Sequence, residues 1–343
     1  MSVIGFNNVT ELVGNTPLIS VANLFSQNNA QVFAKTEYFN PGLSIKDRIA
    51  INIITKAEEN GDIGHGTTII ESSSGNTGVG LAIISAVRGY RFICVMNTKH
   101  SPTKINLMKS YGAEIILCEG SYPYEHPDSH YTYAKNLAEE IPNSYHVNQY
   151  QNQLNPDTHY EKTGHEIWEQ THGKITHLVA SASTGGTITG IARYLKEQNP
   201  DIKVWAPDAY GSAFQHFHQT GEYDPTQTHS YLIENVGKKF IPDVIDIGLI
   251  NQFIKVKDKD AALMARKAAR KTGLLLGYSS GAALRAFEQM QNECSEDDVV
   301  VIVCSDHGSR YMSTIYNDDW MAEHHFTLEN KQPVTLEHKN GSI

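Results

Sequence analysis

The chain has 343 residues, 40% of them hydrophobic and 19% charged, with a formal net charge of −10. That length predicts about two domains or one bilobal one, with a core needing neither disulfides nor metals, and the mix excludes a disordered chain. The acidic balance excludes a general nucleic-acid binder but leaves room for a small anionic ligand in a local pocket.

The stretch Met1–Asn15 has no basic region and no long apolar run, and Val299–Cys304, the longest apolar run, is far too short for a membrane helix. A cytoplasmic protein is expected. Short β-branched runs predict strands at Val32–Ala34, Thr68–Glu71, Phe92–Met96, Glu114–Cys118, His177–Ala180, Val204–Ala206 and Val299–Cys304. Amphipathic stretches between them predict helices such as Asp47–Asn60, Asn76–Arg88, Lys104–Tyr111 and His130–Glu140. This alternation predicts an α/β fold with mainly parallel sheets. Ser121–His130 and Gly211–Ser230 read as loops, and the polar stretch from Thr327 as a tail. The four cysteines, Cys94, Cys118, Cys294 and Cys304, form no C-x-x-C pair, which speaks against a zinc ribbon or dithiol motif and for buried free thiols.

Four segments carry chemistry. Asn40-Pro41-Gly42 is a turn, and Lys46 follows it at the start of a helical pattern. The positive end of a helix dipole lowers a lysine's proton affinity, which suits an amine nucleophile; a solvated surface lysine is the plainer alternative. Glu71-Ser72-Ser73-Ser74-Gly75-Asn76-Thr77-Gly78 joins a strand to a helix, and its hydroxyls and glycines suit a bound carboxylate or phosphate, or simply a helix cap. In Ser183-Thr184-Gly185-Gly186-Thr187 the paired glycines allow close approach to a phosphate; the segment is neither a Walker loop nor G-x-G-x-x-G. Gly277-Tyr278-Ser279-Ser280-Gly281 again opens a helix.

In this order the segments resemble the pyridoxal-phosphate β-replacement family, which contains cysteine synthases and cystathionine β-synthases. The resemblance runs from about Thr10 to Phe326 and includes Gly14-Asn15-Thr16-Pro17-Leu18, Lys35-Thr36-Glu37 and Arg193-Tyr194-Leu195-Lys196. It implies two domains, each a twisted, mostly parallel sheet flanked by helices, with the cofactor in the cleft between them, as in tryptophan synthase β. It divides the chain into a smaller mobile domain, 46–150, a larger one, 1–45 plus 151–326, and a tail, 327–343. Lys46 matches the lysine that binds pyridoxal 5'-phosphate covalently, and Asn76 the residue on the ring hydroxyl. Ser183, Thr184, Gly185, Gly186 and Thr187 match the phosphate loop, and Ser279 the hydroxyl facing the ring nitrogen. Ser73, Ser74 and Thr77, with Gln149, match the clamp on the substrate carboxylate. The resemblance further implies small amino-acid and thiol substrates and a homodimer, with no nucleic-acid or membrane partner.

Within the family, Gln149-Tyr150, the stretch His126–Tyr131 and the segment Tyr311–Met321 lean toward cystathionine β-synthase, with Tyr150 placed to help a hydroxide leave serine. Ser279-Ser280-Gly281 and Gly164–Trp168 lean toward cysteine synthase. Three positions depart from the family pattern: Ser72-Ser73 replaces Pro-Thr, Ser183 replaces a glycine, and Asn235-Val236-Gly237 replaces Gly-Ile-Gly. Asn235 is expected near the substrate mouth. Tandem regulatory domains and a haem-binding extension are not expected. His216-x-His218 and His126-x3-His130 lack further convergent ligands, so no metal is expected. A non-catalytic scaffold of the same fold is the alternative from another class.

Overall fold

The computed structural model describes residues 5–25, 29–73, 75–98, 102–119 and 122–326. Ser74 and the expected tail lie outside them. The strands are β1 Leu18–Ser20, β2 Gln31–Thr36, β3 Thr68–Ser72, β4 Arg91–Asn97, β5 Glu114–Cys118, β6 Ser144–His146, β7 His177–Val179, β8 Lys203–Ala209, β9 Gln252–Val256 and β10 Val299–Cys304. The helices are α1 Lys46–Asn60, α2 Asn76–Arg88, α3 Pro102–Ser110, α4 His130–Glu140, α5 Leu154–Thr158, α6 His165–Gln170, α7 Gly186–Gln198, α8 Phe214–Thr220, α9 Asp258–Thr272, α10 Tyr278–Met290 and α11 Asp318–Glu323.

They form two sheets. One has six strands in the order β1-β2-β10-β7-β8-β9, the other four in the order β5-β4-β3-β6. All neighbours pair in parallel except β1 with β2. The apolar run of β10 shows why this sheet is covered on both faces. Successive side chains of a strand point to opposite faces. Val300, Ile302 and Cys304 accordingly join the core against α9 and α10, while Val301 and Val303 join the core against α7. The smaller sheet repeats the pattern: Ile69, Cys94 and Met96 pack on α1 and α2, and Ile70, Ile93 and Val95 face Ala134 of α4.

The expected strands and helices are present, four of them with the expected bounds and the rest with ends shifted by at most three residues. Strands β1, β6 and β9 were not expected. The first two have three residues each, and β9, with the sequence QFIKV, carries polar residues within a short run. The expected loop Gly211–Ser230 contains α8. Phe214 is fully buried there, and Gln215 and His218 bond the carbonyls of Phe253 and Ile250, so tertiary anchors override a polar sequence. All four cysteines are free; Cys94 and Cys304 are buried, while Cys118 and Cys294 are half-buried.

Polar residues near the chain start meet Glu166 in one buried ion network. Arg48 bonds Glu37 and Glu166, and Lys35 bonds Glu166 at 2.7 Å, with Thr16 bridging Arg48 and Glu37. This network ties the first turns of α1 and α6 to β2.

Candidate active site

Lys46 opens α1, immediately after a turn in which Leu43 takes φ +58 and the Leu43 carbonyl accepts from His307 N–H. Its amine lies 3.5 Å from Thr184 Oγ1 across the cleft between the sheets. Its pKa is lowered to about 8, chiefly by burial and then by the Lys238 charge, against the opposing pull of Glu71.

At the carboxyl end of β3, Ser73 Oγ accepts from Gly75 N–H at 3.3 Å and Gly78 N–H at 2.9 Å. Thr77 Oγ1 donates to Gln149 Oε1 at 2.7 Å, and Gln149 Nε2 reaches Glu71 Oε1 at 3.1 Å. The helix-cap alternative accounts for Ser73 alone; Thr77 and Gln149 bond each other beside it. Glu71 is buried with one oxygen lacking a hydrogen-bond partner among the described residues, and burial lifts its pKa to about 8.

The Ser183–Thr187 segment runs from β7 into α7. Gly185, at φ +92, precedes the helix, and no side chain of that residue exists to cap it. A Cβ on Gly186 would stand 2.1 Å from Asn155 Oδ1, and one on Gly185 2.3 Å from Ile245 Cβ. Thr184 Oγ1 accepts from Asn155 Nδ2 at 3.2 Å, and Thr187 Oγ1 meets His159 Nε2 at 3.2 Å. His159 sits in a π-helical turn, His159–Gly164, and burial holds its imidazole well below the usual range, hence neutral.

Ser279 lies buried in the first turn of α10, its hydroxyl without a partner among the described residues. Asn76 is fixed from two sides. Its Nδ2 donates to Asp306 Oδ2 at 2.7 Å, and its Oδ1 accepts from Arg310. One amide N–H of Asn76 remains for a ligand.

Lys46, Ser73, Asn76, Thr77 and Gln149 line one cavity of about 300 Å³ with Tyr150, Ser183, Thr184 and Asn235. Gly185, Gly186 and Thr187, at the first turn of α7, and Ser279 do not line it. Asn235 adopts φ +62, a left-handed backbone that asparagine tolerates better than other non-glycine residues, which explains how it stands where the family pattern has glycine. Its Nδ2 donates to Tyr311 at 3.3 Å. Tyr150 accepts from Lys238 Nζ at 2.9 Å, and burial raises its pKa well above the ordinary value, so its phenol stays protonated.

Sequence reasoning missed Glu71, Asn155, His159, Lys238, Asp306 and Arg310 as parts of this site. Glu71 and Asp306 carry a readable signal, an acid inside or just after an apolar strand; the others are brought in only by the fold.

The residues suit pyridoxal phosphate. The glycine cradle leaves no room for side chains, the Ser279 hydroxyl is buried and orphaned, and the buried amine of Lys46 has a lowered proton affinity. The comparisons agree. Residues 9–306 match the family model described as pyridoxal-phosphate dependent enzyme, and the chain belongs to that family. It is thus an enzyme dependent on pyridoxal phosphate. The chain is 41% identical over 320 residues to the cystathionine β-synthase of Dictyostelium discoideum, covering 93% of this chain and 64% of that protein. It therefore spans less than two thirds of that relative's length. It is 41% identical over 310 residues to the probable cysteine synthase of Bacillus subtilis, covering 90% of this chain and 96% of that one. Among solved structures, a hydrogen sulfide-producing enzyme of Fusobacterium nucleatum superimposes with a TM-score of 0.82 at 34% identity, covering 90% of this chain and all of that one. No helix among the described residues is long and apolar enough to cross a membrane.

Proposed function

We propose that the chain catalyses β-replacement on serine or O-acetylserine by a thiol, with serine and homocysteine giving cystathionine as the main reaction. One observation carries this reading. The amine of Lys46 shares a cavity with Ser73, Thr77 and Gln149, a donor set suited to an amino-acid carboxylate. The likeness to cystathionine β-synthases over 93% of the chain supports the choice of product.

The cofactor, when bound, supplies an electron sink that acidifies the substrate Cα–H bond. Thr184, Gly185, Gly186 and Thr187 would hold its phosphate with Ser183 at the turn, Asn76 would meet its ring hydroxyl, and Ser279 its ring nitrogen. Ser279, a neutral hydroxyl, would offer that nitrogen a hydrogen bond and no charge. Lys46 Nζ takes the Cα proton and returns it after addition. The Cβ–O bond breaks and a Cβ–S bond forms; the thiol proton leaves with the departing oxygen as water or acetic acid. The Tyr150 hydroxyl, kept protonated by burial, donates a hydrogen bond to that oxygen. Ser73, Ser74, Thr77 and Gln149 clamp the carboxylate, and Asn235 borders the substrate mouth.

We further propose that 46–150 closes as a unit on 1–45 plus 151–326, excluding water. The Lys104–Glu234 ion pair, which joins α3 to the segment before Asn235, supports this. Exposed Phe6, Phe39 and Met312 support a homodimer, and the four free thiols a reducing cytoplasm. The second reading, O-acetylserine and sulfide to cysteine, is favoured by the relative matched over 96% of its length. The test offers purified holoenzyme each donor with each acceptor and identifies products by mass spectrometry. Cystathionine from serine and homocysteine supports the main reading, and cysteine alone the second. No product from a cofactor-loaded protein would leave a non-catalytic scaffold.

A further inference from the structure

A second cavity, about 910 Å³, opens beside the Lys46 cavity, and the two share Tyr150, Tyr231 and Lys238. Its walls are rich in aromatic rings, with Glu125, Asp243 and Lys239 also lining it. Tyr124 stacks on Phe240 at 4.3 Å between centroids, and Tyr131 meets Tyr150 edge-on at 5.4 Å. Lys238 stands at the junction. Its Nζ bonds the Tyr150 hydroxyl at 2.9 Å and lies 5.0 Å from the centre of that ring and 5.9 Å from that of Phe240. The backbone beneath it is fixed: Lys238 N–H donates to Ser212 Oγ at 3.2 Å, its carbonyl accepts from Ala213 N–H at 2.8 Å, and Gly237 packs on Ser212. Among the described residues no carboxylate forms an ion pair with Lys238.

Glu125 and Asp243 line the same chamber but form no ion pair with Lys238, whose Nζ sits instead against the Tyr150 and Phe240 rings, so this cation is a ready partner for an anion, and the aromatic walls suit the aliphatic part of the same molecule. Bare sulfide, about the size of the roughly 30 Å³ share of a water molecule, needs no such chamber. Resting on the β-replacement reading, we infer that the aromatic chamber is the site of the thiol acceptor and that Lys238 selects acceptors carrying a carboxylate beyond the sulfur. The chain of the acceptor lies on Tyr124, Tyr131 and Phe240, and its sulfur points past Tyr150 toward the Lys46 cavity.

The test gives holoenzyme a donor and either 4-mercaptobutyrate or its neutral carboxamide, and compares kcat/KM. The wild type should prefer the acid by about tenfold, the size of one good charge pair. Lys238→Gln should bring the two acceptors level, and Lys238→Arg should keep part of the preference. Equal use of acid and amide by the wild type overturns the inference, and this arm needs no variant to fold. A preference that survives in Lys238→Gln overturns it too. So does a Lys238 effect confined to O-phosphoserine as donor, which would assign the cation to a leaving phosphate. Failure of every thiol, sulfide included, would instead sink β-replacement itself, and the acceptor site with it.

Discussion

Asn76 and Asp306, 230 residues apart in the chain, meet in a 2.7 Å hydrogen bond that pins the first turn of α2 to the segment after β10. Tyr311 donates to the same carboxylate oxygen at 2.8 Å. The residue expected to orient the cofactor ring is thus positioned by the far end of the fold.

Asp306→Ala should leave the Asn76 amide and the Tyr311 hydroxyl without their shared acceptor. A buried donor left unpaired costs about 1–3 kcal/mol, so a loss near 3 kcal/mol in urea unfolding is expected. Cofactor retention on dialysis should fall in parallel. Asp306→Asn, which keeps an acceptor oxygen, should lose less of both.

The ion network of Lys35, Arg48, Glu37 and Glu166 predicts acid sensitivity. Arg48 and Lys35 outweigh burial and hold Glu166 at about 2, below its ordinary 4.5. A depressed carboxylate contributes stability that is complete above its unfolded pKa and is lost as pH falls through the folded one. Urea midpoints should drop from about pH 5 downward. Glu166→Gln should be less stable at neutral pH and flatter over that window, whereas an unchanged slope would remove Glu166 from the account.

The Lys104–Glu234 pair spans the cleft, with Glu234 42% exposed. Such a pair stabilises by less than about 1 kcal/mol, so Glu234→Ala should barely move the unfolding midpoint. Its effect should fall on closure: a larger share of serine should be lost to water as pyruvate and ammonia, read by a coupled pyruvate assay.

The lowered pKa of Lys46 sets a pH profile for loading. The free amine dominates only above about 8, so the rate of cofactor capture by apoprotein should climb up to that pH and then level. Lys238→Gln removes the second cause and should move the bend upward. Burial, the larger cause, remains, so the bend should stay below 10.5.

The glycine-bearing strand-to-helix junctions were legible as paired glycines before a helical pattern, although the contacts that demand glycine at Gly185 and Gly186 come from Ile245 and Asn155, far off in the chain. Strand β10 was legible because a strand covered on both faces is apolar throughout. Strand β6 was not, since its three residues, Ser144–His146, owe their pairing to β3 rather than to any pattern of their own. The same holds for Lys238. It reads as one more charge in a polar segment, and only folding sets it against Tyr150, 88 residues away.

The central claim is that Lys46 carries the cofactor. Borohydride reduction of the holoenzyme followed by peptide mass mapping tests it most directly. A pyridoxyl-phosphate adduct on Lys46, absent from a Lys46→Ala variant, is the predicted result. An adduct on another lysine, or none on a protein that retains the cofactor, would contradict the account.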